Sequence, residues 1–452
     1  MAPNRIIIDT DPGVDDVLAM LLAFSAKSEE LEVLMLSLTF GNVEVQNCLR
    51  NVVTLFHHIE KERAWRKENG RPEGFEALMA HKPIVAVGAE EPLAEHMMVA
   101  DFFHGVDGLG GIHSSHPHLS PSETWKSLFL PAPENLSAEE VAELQRVEDA
   151  HSLFTPSLKP AHEEMLQILR DNEPDTITIV AVGPLTNLAI AAAKDPEAFL
   201  RVKEVLVMGG AVDSPGNMTP GAEFNTYADS VAAARVYALT SPNPKTTMPP
   251  SIPGGKKKNG QLGAYPEGLS RRLTVKLFPL DITNRHTLPQ SLFSTYTSTT
   301  PLPTSPLVQW TSLFLTSTYR KISSLSPSPP SSEDDKEEEE PPSLQLHDPL
   351  PIYYAMTAAS SSSSSATTQW QFSPPEDLRV ETAGQWTRGC CVVDRRGRSA
   401  HNVSEGDLSE EVVGDAGGWR DARRGNRVVR ALESPDQEGF GGLLLERVFG
   451  GL

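Results

Sequence analysis

Four carboxylates fall within eight residues near the start of the chain: Asp9, Asp11, Asp15 and Asp16, in the run Ile-Ile-Ile-Asp-Thr-Asp-Pro-Gly-Val-Asp-Asp. Acids this crowded repel one another, and a cluster offering only oxygen ligands suits a hard cation. A helix N-cap would use one aspartate or two and leave the others unexplained, so a metal site is the expectation. The flanking sequence says what must position it. Arg5 to Ile8 reads as a short buried strand, and Val14 to Ala26 carries apolar residues at helical spacing. Pro12 and Gly13 turn one into the other, and the positive end of the helix favours ionised carboxylates there.

The same strand-to-helix handover recurs. Val33 to Phe40 is apolar, closes on Gly41-Asn42, and is followed by helical spacing through Val43, Val45, Leu49, Val52, Val53 and Phe56. Pro83 to Gly88, Thr176 to Val182, Glu204 to Met208 and Leu273 to Pro279 are further strands, and helices are expected over Leu158 to Arg170, Leu185 to Lys194, Asp229 to Leu239 and Pro306 to Ile322. Such alternation specifies an α/β fold with an open, mostly parallel central sheet, helices on both faces, and functional loops at the carboxyl ends of the strands. Asn42 sits at that edge, where it also serves as an ordinary turn residue. Asn217, Glu223 and Asn225 share one loop and could bind vicinal hydroxyls or simply shape a turn. The glycine-dense segment Asp101 to Gly111, with His104 and Asp107, suits either close approach to a ligand or a plain loop. His113, His116 and His118 lie in a Ser/Pro-rich stretch without a supporting carboxylate or cysteine and read as solvated.

Totals narrow the classes. A net charge of −21 over 452 residues argues against a nucleic-acid partner. Three cysteines, Cys48, Cys390 and Cys391, give no disulfide framework and suit a reducing compartment. The first strand begins within five residues of Met1, which leaves no room for a targeting peptide and makes a cytoplasmic location the expectation. The longest uncharged run, Thr176 to Ala193, is broken by Gly183-Pro184 and Thr186-Asn187, so no membrane span is expected.

Taken together the motifs resemble the inosine-uridine nucleoside hydrolase family. Asp-Thr-Asp-Pro-Gly-Val-Asp-Asp, Gly41-Asn42, Gly-Pro-Leu-Thr-Asn ending at Asn187, Met-Gly-Gly-Ala ending at Ala211, the Asn217 to Asn225 loop and Pro-Leu-Asp-Ile-Thr ending at Thr283 occur in family order, each at an expected strand end. The likeness spans Arg5 to Arg285, then Leu346 to Thr357, Leu378 to Arg398 and Asn426 to Phe449. It implies one Rossmann-like domain over 1–452 that hydrolyses the N-glycosidic bond of a ribonucleoside, a small-molecule substrate, with homodimers or homotetramers expected. By resemblance, Asp11, Asp16, the main-chain carbonyl of Val182 and the carboxylate of Asp348 bind Ca²⁺, and Asp11 takes the proton of the attacking water. Asp15, Asn42, Asn217, Glu223, Asn225 and Asp348 grip the ribose, His347 assists the departing base as general acid, and Asp9 is left as a supporting residue.

Insertions are expected at about 61–80, 114–155, 242–271, 323–345, 360–368 and 403–424. The acidic Ser/Pro stretch 323–345 is expected to be disordered. Two rival readings remain: a haloacid-dehalogenase-like Mg²⁺ phosphatase, which also places Asp-x-Asp after a strand, and a non-catalytic nucleoside or sugar binder on the same scaffold.

Overall fold

Three consecutive isoleucines set the centre of the molecule. In the computed structural model, which describes residues 2–131, 137–249, 262–325, 341–358, 369–397 and 414–450, strand β1 (Asn4–Thr10) is almost wholly buried, with Ile6 and Ile8 in the apolar layer on one face and Ile7 in the layer on the other. A strand covered on both sides needs no polar alternation, which is why its sequence reads as a continuous β-branched run. It pairs in parallel with β2 (Leu31–Leu38) and β5 (Ile177–Ala181), so that Ile8 stands opposite Leu36 and Val180.

The sheet grows outward from this trio through β3 (Ile84–Val87), β4 (Thr155–Pro156), β6 (Glu204–Met208) and β7 (Val275–Phe278). Strands β8 (Thr287–Pro289) and β9 (Ser343–Gln345) form a separate antiparallel pair, as do β11 (Arg379–Val380) and β12 (Cys391–Val392). With β10 (Gln371–Phe372) and β13 (Val429–Glu433), the main sheet has nine strands in the order β10-β13-β7-β6-β5-β1-β2-β3-β4, antiparallel only at its β10 edge. This is the open, mostly parallel α/β architecture expected from the sequence.

Helix α1 (Val14–Phe24) is buried along its whole length. It packs beside the late helix Pro349–Thr357, and Asn4 Nδ2 donates to the carbonyl of Ala355 at 3.2 Å, so segments 351 residues apart in sequence meet at the sheet centre. None of the described helices is long and apolar enough to cross a membrane.

Several expectations require correction. Residues 61–80 are not an irregular surface insertion: α2 runs from Val45 to Glu68, and Phe75, Ala77 and Leu78 join the core. Charge misled because its partners lie inside. Glu62 Oε1 accepts from Arg66 Nε at 2.8 Å, Glu62 Oε2 accepts from Ser305 Oγ at 2.6 Å, and Arg66 Nη2 donates to the Val448 carbonyl at 2.7 Å. Within 114–155, Trp125, Leu153 and Phe154 are buried, and Thr155 opens the edge strand β4. His113 is not solvated. It bonds Asn51 Oδ1 at 2.7 Å and Ser120 Oγ at 2.6 Å from inside the fold. The expected helix from Asp229 begins at Ser230, because Asp229 caps it by accepting from Ala232 N–H, and a short separate helix, Phe224–Ala228, precedes it. Ser343–Gln345, inside the expected 323–345 insertion, is strand β9. Of the disorder expected over 323–345, residues 323–325 instead close the helix Pro306–Leu325, while 326–340, the serine run within 360–368 and the stretch 403–413 lie outside the described residues.

The Glu62–Arg66 pair ties α2 to both Ser305 and Val448. Glu62→Ala strands a buried guanidinium, so chemical denaturation should report a loss of about 3–5 kcal/mol, with the urea midpoint shifted and the slope unchanged.

Candidate functional site

At the carboxyl edge of β1, β2 and β5 the turn Asp11-Pro12-Gly13 delivers the acids. Asp16 occupies the first turn of α1, where its Oδ2 accepts from Gly13 N–H at 3.0 Å and Asn42 Nδ2 at 2.8 Å, while Oδ1 accepts from Thr10 Oγ at 2.5 Å and Asp11 N–H at 3.3 Å. Asp11 is fully buried: its Oδ2 accepts from Asn42 N–H at 2.7 Å, and its Oδ1 has no partner among the described residues. Two glycines make room for this carboxylate. A Cβ at Gly41 would lie 2.0 Å from Asp11 Oδ2, and one at Gly183 would lie 2.5 Å from Asp11 Oδ1. Both Gly41-Asn42 and Gly-Pro-Leu-Thr-Asn therefore serve the first aspartate-rich turn.

The fourth acid arrives from far along the chain. Asp348 stands at the start of the helix Pro349–Thr357, and carboxylate oxygens of Asp15, Asp16 and Asp348 lie within 4.8 Å of one another. Burial pushes all of these carboxyls up. Asp15 rises to about 7, chiefly from desolvation and then from Asp16, and Asp348 goes well above the usual range through burial followed by Asp15, Asp16 and Asp11. Asp11 is raised by burial and then by Asp16. A cation would reverse these shifts by supplying the missing opposite charge. The orphaned Asp11 Oδ1 and the all-oxygen donor set fit a hard metal ion at this point.

The remaining candidates are arranged around this cluster. The Val182 carbonyl accepts from Asn225 Nδ2 at 2.9 Å, and Val182 precedes the Gly183 that packs against Asp11 Oδ1. Glu223 is buried and caps the helix Phe224–Ala228, accepting from Asn225 N–H at 2.6 Å, Gly210 N–H at 2.8 Å and Thr226 N–H at 2.9 Å. Asn217 is exposed at the rim, and its Oδ1 closes the loop by accepting from Phe224 N–H at 2.9 Å. Asp9 stands apart from the cluster. Its Oδ1 takes hydrogen bonds from Ser37 Oγ and Asn187 Nδ2, which binds β1 to the Gly-Pro-Leu-Thr-Asn turn.

His347 is half-buried, its Nδ1 lies 2.8 Å from Thr283 Oγ, and burial lowers its ring to about 4. A second histidine joins it. His104 Nδ1 accepts from Val14 N–H at 3.3 Å, which leaves the neutral ring its proton on Nε2, and burial, then His347, lowers its pKa to about 3. Asp107 instead organises its own loop, accepting from the amides of Leu109, Gly111 and His113. Sequence reasoning missed Asn51, whose Nδ2 donates to the carbonyls of Pro12 and Asp107, both at 2.8 Å. A polar residue on the apolar stripe of α2 was the available signal.

The fold and this centre together define an α/β protein with a buried acidic, cation-ready site at the sheet's carboxyl edge. The profile of the inosine-uridine preferring nucleoside hydrolase family matches residues 6–413, and the chain belongs to that family. Uridine nucleosidase 1 of Arabidopsis thaliana is 34% identical over 235 residues, which is 52% of this chain and 53% of that one. The pyrimidine-specific ribonucleoside hydrolase RihA of Klebsiella pneumoniae is 33% identical over 232 residues, 51% of this chain and 56% of that one. The matched region thus spans about half the length of these curated relatives. Among solved structures, the plant nucleoside hydrolase PpNRh1 shares the fold with a TM-score of 0.62 at 20% identity, covering 99% of this chain and 100% of that one. A purine-preferring ribonucleoside hydrolase from Gardnerella vaginalis gives a TM-score of 0.60 at 18% identity, covering 99% and 98%. Family membership removes the phosphatase alternative.

If the acids exist to hold a cation, saturating divalent metal should raise the melting temperature of the wild type. The gain should approach about 2.7 kcal/mol at a hundredfold excess over the dissociation constant. In Asp348→Asn the metal-dependent shift should vanish, whereas in chelator the variant should melt no lower than the wild type because a repulsive charge has gone. Differential scanning fluorimetry with and without chelator checks both arms.

Proposed function

We propose that the protein hydrolyses the N-glycosidic bond of ribonucleosides to free base and ribose. The observation that carries this reading is the unpartnered Asp11 Oδ1 beside Asp15, Asp16 and Asp348, with Asn225 joined to the same cluster through Val182. A calcium ion held by Asp11, Asp16, Asp348 and the Val182 carbonyl would polarise the attacking water and fix its position.

The chain's own groups supply the rest. Asp11 accepts the water's proton, and direct attack at C1′ inverts that centre. Asp15, Asn42, Asn217, Glu223 and Asn225 contact the ribose hydroxyls, with Asp348 shared between sugar and metal. Glu223 already spends its carboxylate on three amides. Its contribution is therefore to hold the 223–226 turn rigid and to offer a remaining lone pair to a hydroxyl. His347, with Nδ1 fixed by Thr283, is the proton donor to the leaving base, and because burial lowers its ring to about 4 the protonated form that acts is the minor one at neutral pH. The three free cysteines fit a reducing, cytoplasmic setting, and a dimer or tetramer is the assembly proposed by family resemblance.

Uridine is the first substrate to try, because relatives named for uridine or pyrimidine nucleosides reach 34% identity. Ribose release from uridine, cytidine, inosine and adenosine reads the preference directly. Asp11→Ala should lower kcat by about 10²–10⁴-fold and chelation should abolish turnover. Removing the 2′-hydroxyl from the substrate should cost on the order of 10⁴ in kcat/KM, because buried polar partners lose their mate. Tight nucleoside binding by folded, calcium-loaded protein without ribose release would favour the non-catalytic binder instead.

A further inference from the structure

The segment 88–104, between β3 and the short helix Asp101–His104, runs as a strap from the Asp229 cap to the Gly41-Asn42 turn beside Asp11. At one end Ala100 N–H donates to the carbonyls of Asn42, at 3.1 Å, and Gly41, and four residues later His104 reaches Val14 and the neighbourhood of His347. At the other end Leu93 N–H donates to Asp229 Oδ2 at 2.9 Å, and Glu95 Oε1 accepts from Ser230 Oγ at 2.5 Å. Glu95 is thereby placed against Asp229, and its side chain is only 9% exposed. Its Oε2 has no hydrogen-bond partner among the described residues. Burial and the nearby Glu95 push Asp229 up to about 7.

The balancing charge comes from Arg388. Its Nη1 lies 3.6 Å from Glu95 Oε1, Nη2 is 4.0 Å from Met98 Sδ, and Cζ stacks 3.7 Å from the ring centre of Tyr227. Tyr227 belongs to the helix Phe224–Ala228, two residues beyond Asn225. The arginine is itself held firmly: Gly389, at φ 79°, lies so close that a Cβ would come within 2.8 Å of Tyr227 Cα, and Cys390 bridges to Ala222. One guanidinium therefore grips the strap and the 216–225 loop at once.

We propose that Arg388 is a positioning residue that latches the 88–104 strap over the nucleoside site. This rests on the hydrolase reading above. Without Arg388, the carboxylate of Glu95 faces Asp229 uncompensated and moves toward water, carrying the strap off Asn42 and His104 out of register. The same argument makes the defect repairable by removing the charge that Arg388 neutralises.

In the full-length calcium-loaded protein, Arg388→Ala should raise KM for a ribonucleoside about tenfold while kcat changes less than about threefold. Arg388→Lys should retain part of the affinity, and Glu95→Gln introduced into Arg388→Ala should recover most of it. Melting temperature and metal-induced stabilisation should stay close to those of the wild type. Backbone amide exchange across 93–100 should quicken in Arg388→Ala and slow again in the double variant, a readout that needs no turnover. A wild type that releases no ribose sinks the hydrolase reading, and the exchange measurement still decides the latch. Unchanged exchange, a fall in kcat at constant KM, or a double variant no better than Arg388→Ala overturns the proposal.

Discussion

Mutual repulsion among buried acids is the constraint to which the rest of the molecule answers. Asp15, Asp16 and Asp348 meet where three parallel strands end, with Asp11 hydrogen-bonded to Asp16 beside them and all four buried. Among the described residues no arginine or lysine is paired with them. The fold surrounds Asp16 with four hydrogen-bond donors, gives Asp11 one amide on Oδ2, and leaves Oδ1 bare. Hydrogen bonds orient carboxylates without cancelling their charge, and what remains is a place shaped for a cation. The close glycines at 41 and 183, the helix N-terminus under Asp16 and the late entry of Asp348 all serve that arrangement.

The same economy runs outward from the acids. Asn225 touches the carbonyl of Val182, Glu223 fixes the amide of Asn225, and Tyr227 carries the Arg388 contact to the strap. On the opposite side Asn51 binds Pro12, Asp107 and His113, so the glycine-dense loop and the turn at Pro12 share one side chain. The site is therefore surrounded by residues that mostly hold each other, and few are free to move alone.

Much of this was legible in the linear chain. Apolar runs ending in Asp-Thr-Asp-Pro-Gly, Gly-Asn or Gly-Pro-Leu-Thr-Asn mark strand ends because a buried parallel strand must be apolar and its exit must turn sharply. The sheet and its functional edge followed from that rhythm. What could not be read was the satisfaction of polar groups by distant partners. Glu62 and Arg66 look like surface charges until Ser305 and Val448 are seen, and His113 looks solvated until Asn51 is. Asn217, Glu223 and Asn225 were ambiguous between turn and ligand, and the structure gives Asn217 and Glu223 turn-making bonds and Asn225 a bond to the Val182 carbonyl. His104 was equally balanced, since nothing local links it to Val14 or His347.

The packing of α1 against the helix Pro349–Thr357 ties competence to the order of synthesis. A ribosome delivers β1, α1 and the first three acids early, when the completely apolar-jacketed α1 still lacks the late helix that covers it. Until residue 348 emerges, the nascent chain has a sticky, exposed helix and an open acidic turn that holds ions only loosely. A chain cut before residue 348 lacks both the apolar cover that this helix gives α1 and one of the clustered carboxylates. The acidic cluster is thus complete only once a helix from late in the sequence has docked against α1.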